Sequence, residues 1–356
     1  MQMLRINIKR GNRQMSYHEF PSHTVKSRIT SALRLTLSIA LIVALAYQIG
    51  SDQVLAQIQS ARWQMIMVVV FILGSHVLVL TPRWRTILST LGYKIHWAAL
   101  LPSVFLGFLC NQVLPTGVGG DALRAWRARS LGVPLDVGMY SVLLDRIAGA
   151  VTIFFGTVLL VPFAAPVVRS GVLWVVALLI VCLLAGGICL WLISALSPSQ
   201  FSLLRAMQRA IDGFNVSVKL LVCRPRAVLN VIVLSVIGQL IAAAALGLLA
   251  QELQIRVSPI GVMVVTFGAM LAATIPISIA GWGVREGALV FLFGMYDVPA
   301  QTAFAVSILF GACLLLASAP GALVLLTGTE KSGLTAENSA RKTRSLTRYR
   351  QRLPAK

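Results

Sequence analysis

Three acidic side chains stand where an apolar chain has little reason to keep them. Asp121, Asp145 and Glu286 lie in or beside long apolar runs, and each has an arginine close in sequence: Arg124 near Asp121, Arg146 next to Asp145, Arg285 next to Glu286. A charged side chain at the centre of a bilayer costs roughly 2.5–3.5 kcal/mol on insertion scales, so several together need a reason. Two readings are open. The charges neutralise one another and fix helix packing, or they line a polar cavity that receives a charged ligand. Their clustering at helix interruptions favours the cavity. The sign favours an anion, because the planar forks of Arg124, Arg127, Arg146 and Arg285 suit phosphate. Helix N-termini beginning at Gly120 and Gly283 would add backbone N–H donors. Asn111 could donate or accept at the same place, or make a helix-packing hydrogen bond.

The interruptions are written in glycine and proline. One is Leu114-Pro115-Thr116-Gly117-Val118-Gly119-Gly120, followed by Asp121 and Arg124. The other is Ile275-Pro276-Ile277-Ser278-Ile279-Ala280-Gly281-Trp282-Gly283, followed by Arg285 and Glu286. Proline removes a backbone donor and clashes with the preceding turn. Non-helical backbone at membrane depth is tolerated where it lines a cavity or is buried in protein. Paired Gly/Pro-interrupted segments in the two halves of a membrane chain point to a transport site near the midplane.

The elements that must position these residues are apolar helices. Of 356 residues, 57% are hydrophobic and 12% charged, against about a quarter charged in soluble domains. Apolar segments fall at roughly 30–49, 63–80, 98–114, 137–161, 172–193, 228–250, 259–280 and 300–326, and about 20 apolar residues span the hydrocarbon as a helix. The fold class is therefore an all-α integral membrane protein. The net charge of +20 follows from basic tails and connections under the cytoplasmic bias of Lys and Arg, not from a nucleic-acid groove. Arg83, Arg85 and Lys94 precede the third segment and Arg124, Arg127 and Arg129 follow it. A helix that enters, breaks and returns satisfies both flanks. The seventh segment, entering after Arg256, behaves likewise from the other side. The expectation is six full spans plus two re-entrant helix pairs, at about 98–130 and 259–296, in an inverted repeat with both termini cytoplasmic in the inner membrane. Residues 29–328 would form the membrane domain between basic tails 1–28 and 329–356, the first span being uncleaved and the last tail disordered.

Within 200–222, Phe201, Leu204, Met207, Ile211, Phe214, Val218 and Leu221 recur at steps of three and four. That pattern reads as an amphipathic helix on the cytoplasmic surface, or as a connector packed on the protein. His18 and His23 fall in the tail, His96 at an interface and His76 inside a span, where an inter-helix hydrogen bond is the plain reading. The five cysteines form no CxxC pair and read as small apolar residues. No Walker-type loop or HExxH stretch occurs, and no metal, cofactor or catalytic residue is expected.

Asn111-Gln112-Val113-Leu114-Pro115 with Gly119-Gly120-Asp121 and Arg124, then Leu144-Asp145-Arg146, then Pro276, Gly281, Gly283, Arg285 and Glu286-Gly287, resembles the lysylphosphatidylglycerol synthase transmembrane region, also called the flippase-like domain. In the multiple peptide resistance factor that region moves aminoacylated phosphatidylglycerol across the membrane, and a separate soluble domain makes the lipid. The resemblance, over roughly 30–328, implies translocation of an anionic or phosphate-bearing lipid without synthase activity. Arg124, Arg146, Arg285, Glu286, Asp121, Asp145 and Asn111 would face the head group. The alternatives are a membrane-embedded lipid-modifying or polyprenyl-linked enzyme, and a solute transporter or a scaffold for a lipid-modifying enzyme.

Overall fold

A computed structural model describes residues 51–114, 119–163, 202–274 and 282–326. The expected spans 30–49 and 172–193, both tails, and Pro115, Pro276 and Gly281 at the two breaks lie outside these residues. The described residues form helices and no strand. In order they are α1 (Ser51–Ser60), α2 (Trp63–Thr90), α3 (Trp97–Val113), α4 (Gly119–Ala128), α5 (Leu135–Leu160), α6 (Ser202–Val222), α7 (Pro225–Glu252), α8 (Pro259–Ala273), α9 (Val284–Gly294), α10 (Ala300–Ser318) and α11 (Pro320–Leu326). Four helices are long and apolar enough to cross a membrane: α2, α5, α7 and the α10–α11 unit from Ala300 to Val324. Between them stand two shorter apolar helices, α3 and α8. At 17 and 15 residues these are about 25 and 22 Å long, short of a hydrocarbon core of about 30 Å.

The long helices α2 and α7 run antiparallel along their whole length. Arg62, just before α2, binds Glu252 at the end of α7 through Nε and Nη2 at 2.9 and 2.7 Å. His76 in the middle of α2 lies against Gly238, where a Cβ would meet its Nε2 at 2.8 Å. Near the end of α2, Thr86 Oγ1 accepts from Asn230 Nδ2 at 2.8 Å. His76 and Gly238 stand at the same step from the starts of their helices, so the crossing point is where each helix meets its own counterpart.

The remaining helices obey the same exchange. Between helices α1–α5 and α6–α10 the packing is paired: α5 on α8 as α10 on α3, α6 on α5 as α1 on α10, α7 on α5 as α2 on α10. Helices α3 and α4 form an antiparallel hairpin, with Asn111 beside Gly120 and Gly107 beside Arg124. Helices α8 and α9 form another, with Gly268 against Leu292 and Gly261 against Tyr296. Each hairpin leaves and returns at one end of the long helix before it. Arg83 and Trp84 near the end of α2 contact Asp145 and Ser141 near the start of α5. Gln57 of α1, which leads to Arg62, donates to Thr302 at the start of α10, on the side where α7 ends.

One detail departs from the sequence reading. Helix α2 does not stop near residue 80 but continues through Pro82 to Thr90, so Arg83 belongs to a buried helix face and not to a loop. A proline inside a helix loses the hydrogen bond of its own N–H, and one turn later Thr86 Oγ1 donates to the Pro82 carbonyl at 2.9 Å. Helix α6 turns its apolar residues Phe214, Val218 and Leu221 onto a cluster of Ile87, Leu144 and Val231 from α2, α5 and α7. That face is packed on protein.

The antiparallel register is directly testable. In a background lacking the native cysteines, Thr86→Cys with Asn230→Cys should be joined by a short bifunctional thiol reagent, whereas Ile66→Cys with Asn230→Cys should not. Electrophoretic mobility reads both.

Candidate functional site

The expected polar residues gather into two groups, one per hairpin. The first is built on α2, α4 and α5. Asp145, 1% exposed, accepts from Arg83 Nε at 2.7 Å through Oδ1 and from Arg124 Nη1 at 3.2 Å through Oδ2. Arg83 Nη1 also donates to Ser235 Oγ on α7 at 3.2 Å. Asp121 Oδ2 accepts from Arg146 Nε at 2.5 Å, and Asp121 Oδ1 lies 3.7 Å from Arg124 Nη1. Asn111 Oδ1 accepts from the Gly120 N–H at 3.2 Å, and Asn111 Nδ2 reaches Asp121 Oδ1 at 3.5 Å. Asn111 thus closes the hairpin.

Local sequence explains how this fits together. Gly107 and Gly120 let the arms meet: a Cβ on Gly107 would collide with Arg124 Cγ and Cδ, and one on Gly120 with the Gly107 carbonyl. The Arg124 guanidinium lies 4.5 Å from the Trp84 ring centroid, a cation–π contact strengthened by desolvation. Trp84 Nε1 is satisfied by Ser141 Oγ at 3.0 Å. Arg124 is 5% exposed, yet among the described residues its Nε and Nη2 have no hydrogen-bond partner. Arg146 is different: its side chain is 52% exposed.

The second group is smaller and closed. Glu286 Oε1 accepts from Arg285 Nε at 3.0 Å and from its Nη2 at 2.5 Å, while Oε2 accepts from the Gly283 N–H at 2.6 Å. Gly283 has φ +85, which favours glycine. Arg285 sits 4.9 Å from the Trp282 centroid and 5.9 Å from that of Phe310, in space left by Gly311. Both residues are buried and no buried polar atom of either lacks a partner.

The structure therefore unites Asp121, Arg124, Asp145, Arg146 and Asn111, and among the described residues no ion pair or hydrogen bond joins them to Arg285 and Glu286. It adds Arg83, Trp84 and Ser235, which sequence reasoning left out. Arg83 had a signal: it follows His76 by two helical turns on an apolar helix face. Among the described residues no three His, Cys, Asp or Glu side chains stand together as a metal ligand set.

An all-helical, multi-pass membrane protein with ion pairs buried among its helices is the class these observations define. The chain belongs to the lysylphosphatidylglycerol synthase TM region family, which it matches over residues 31–321. It is similar to a UPF0104 membrane protein of Methanocaldococcus jannaschii, 24% identical over 307 residues, covering 80% of this chain and 91% of that protein. A UPF0104 membrane protein of Methanothermobacter thermautotrophicus is 33% identical over 79 residues, 22% of each chain.

Because Asp145 is the shared counter-charge of two buried arginines, Asp145→Asn should destabilise the folded protein by about 3–5 kcal/mol. Arg62→Ala, which breaks a pair whose arginine is exposed, should leave stability essentially unchanged. Thermal unfolding of the purified protein in detergent distinguishes the two.

Proposed function

We propose that the protein translocates an anionic, phosphate-bearing lipid across the membrane, with the head group held at the first hairpin and the acyl chains left in lipid. The observation that carries this reading is Arg124, a buried guanidinium with two nitrogens unpartnered, in a short broken helix pair. An unsatisfied buried donor costs about 1–3 kcal/mol, more when charged, and an anionic ligand removes that cost. Family membership supports a lipid-related role.

The two hairpins are re-entrant in this reading and enter from opposite faces. Support comes from the antiparallel α2 and α7 and from each hairpin's return to the end it left. An inverted repeat of this kind allows one half to rock against the other around a fixed site. The charge map puts both termini on the cytoplasmic side of the inner membrane. Translocation is not enzymatic turnover, and a lipid-modifying enzyme is the partner class that would supply or consume the lipid.

Reconstituted in liposomes with labelled anionic lipid, Arg124→Gln and Arg146→Gln should slow translocation at least about tenfold, the equivalent of roughly 1.4 kcal/mol. Wild-type rates in both variants would remove the reading. Cysteines placed at Thr116 and Ser278 should react with membrane-impermeant reagent from opposite sides; labelling of both from one side would remove the opposed hairpins.

A further inference from the structure

An apolar groove of about 340 Å³ opens near the middle of α2, where that helix passes α3 and the junction of α10 and α11. Gly74 and Ser75 of α2, Phe105 of α3, and Ala317 and Pro320 of the α10–α11 unit line it, beside Phe71, which is 78% exposed. The groove falls between two apolar clusters. Val70 and Ala317 pack in the one that holds Phe293 and Phe310, and Phe105 packs in the one around Trp84. Glycine weakens a helix interior relative to alanine, so a glycine kept there needs a reason. Gly107 and Gly238 each have a close neighbour, the Arg124 stem and His76. Gly74 has none: a Cβ there would meet no atom within 4 Å. The other repeat puts bulk at the same steps. In place of Gly74 and Ser75, α7 carries Val236 and Ile237, 41% and 40% exposed. Where α10 stops and Pro320 begins a new helix, α5 runs unbroken through Phe155 to Leu160.

The lining decides what can enter. Its one polar side chain, Ser75, donates its hydroxyl to the Ile72 carbonyl at 2.6 Å, so no side-chain donor or acceptor is free. An apolar cavity does not hold water, and one left empty forfeits dispersion contacts. At the middle of a helix long and apolar enough to cross the membrane, alkyl chains are the surrounding medium. We infer that the groove is a site for one alkyl chain of a resident membrane lipid, which completes the packing of α3 against α2 and α10. The chain is recognised by shape, and head-group charge has no part in it. It touches α3 at Phe105, two residues before Gly107, where the Arg124 stem crosses, and so braces the incoming arm of the first hairpin. The site is separate from the charge cluster and does not rest on the translocation reading.

The test uses the full chain in phosphatidylcholine nanodiscs with a trace of phosphatidylcholine bearing a mid-chain diazirine. After illumination and digestion, mass spectrometry should find at least fivefold more label on the peptides holding Gly74 and Phe105 than on the one holding Ile232 to Leu240, an apolar exposed face of α7. Gly74→Leu places a side chain in open space. It should cut the label on α2 and α3 at least fivefold and leave that on α7 within twofold. Gly74→Ala, which removes the glycine but little of the room, should label within twofold of wild type. So should Arg146→Gln, and so should wild type with phosphatidylglycerol as carrier lipid. Equal labelling of the α2 and α7 faces, undiminished label in Gly74→Leu, or a larger dependence on head group or on Arg146 would overturn the inference. The contrast between faces stands as a test whatever Gly74→Leu does to folding. A second copy seated in the groove would also overturn it: in a background lacking the native cysteines, Ser75→Cys should not be joined between two copies by a short bifunctional thiol reagent. Label in the groove with no lipid movement in liposomes would leave this site standing and remove the translocase reading instead.

Discussion

One carboxylate, Asp145, lies between guanidinium groups carried by two different helices, and the hydrocarbon around the protein gives none of the three another partner. Arg83 comes from α2, Arg124 from α4 and the acid itself from α5. Moving any of these charges into low dielectric alone is prohibitive, and attraction between them offsets desolvation only when the geometry is good and the remaining donors are occupied. That requirement is met for Arg83 and only in part for Arg124, whose Nε and Nη2 have no partner among the described residues. Ser235 takes a second Arg83 donor, Trp84 covers the face of Arg124, and Gly107 lets the arginine stem cross α3. The short helix α4 is held both by its arginine and by Ala125 and Ala128, which are buried in a cluster with Trp84, Leu100 and Val142.

The scaffold that brings these helices together is the antiparallel pair α2 and α7. Antiparallel packing of like elements creates a two-fold relation, and His76 against Gly238 marks where it passes through the molecule. Several further helix contacts occur in such pairs, α5 on α8 with α10 on α3 among them, while the packing of α11 on α3 has no counterpart. Backbone symmetry does not oblige side chains to follow. Buried charge is expensive wherever it is placed, so a second cluster like the first would carry a second desolvation penalty. Arg285 and Glu286 show the economical alternative: two adjacent residues neutralise each other, cap the helix start through Gly283 and close the space with aromatic faces.

Much of the helix plan could be read in the chain. Hydropathy marked the helices now seen as α2, α3, α5, α7, α8 and α10–α11, and the three-and-four spacing of 200–222 marked α6. Helix starts expected at Gly120 and Gly283 lie within one residue of those observed, Gly119 for α4 and Val284, with Gly283 as its cap, for α9. The partners of the charges were harder. Proximity in sequence suggests Arg146 for Asp145, yet neighbouring residues on a helix point about 100° apart and do not face each other. Arg146 therefore reaches Asp121 on α4, and Asp145 turns the other way, to Arg83 and Arg124. Only Arg285 and Glu286 pair as neighbours, because the fold at Gly283 lets the arginine bend back along the helix start. Arg83 was hidden by Pro82, since Thr-Pro-Arg-Trp-Arg reads as a connection unless the helix is known to continue through it.

In the translocase reading proposed above, a site that passes a ligand from one side to the other cannot hold it too well, and the first cluster would have a built-in limit. Its charges are graded: Asp145 and Arg83 are buried, Arg124 is buried with one edge unoccupied, and Arg146 is half in the open. The fixed inner pair sets the position of Arg124 without occupying its Nε and Nη2. Asp121 meanwhile holds Arg146, so an arriving anion competes with a resident carboxylate for the same guanidinium and binds more weakly than it would to an isolated arginine. The competition runs both ways. When the anion leaves, Asp121 recovers Arg146, and only the edge of Arg124 is again without a partner. A cluster with equal numbers of acids and arginines would lack attraction for the ligand, and one without acids would be hard to insert and slow to release it. Two aspartates among three arginines satisfy both demands, which is why the acids belong to the binding chemistry even though the ligand is itself an anion.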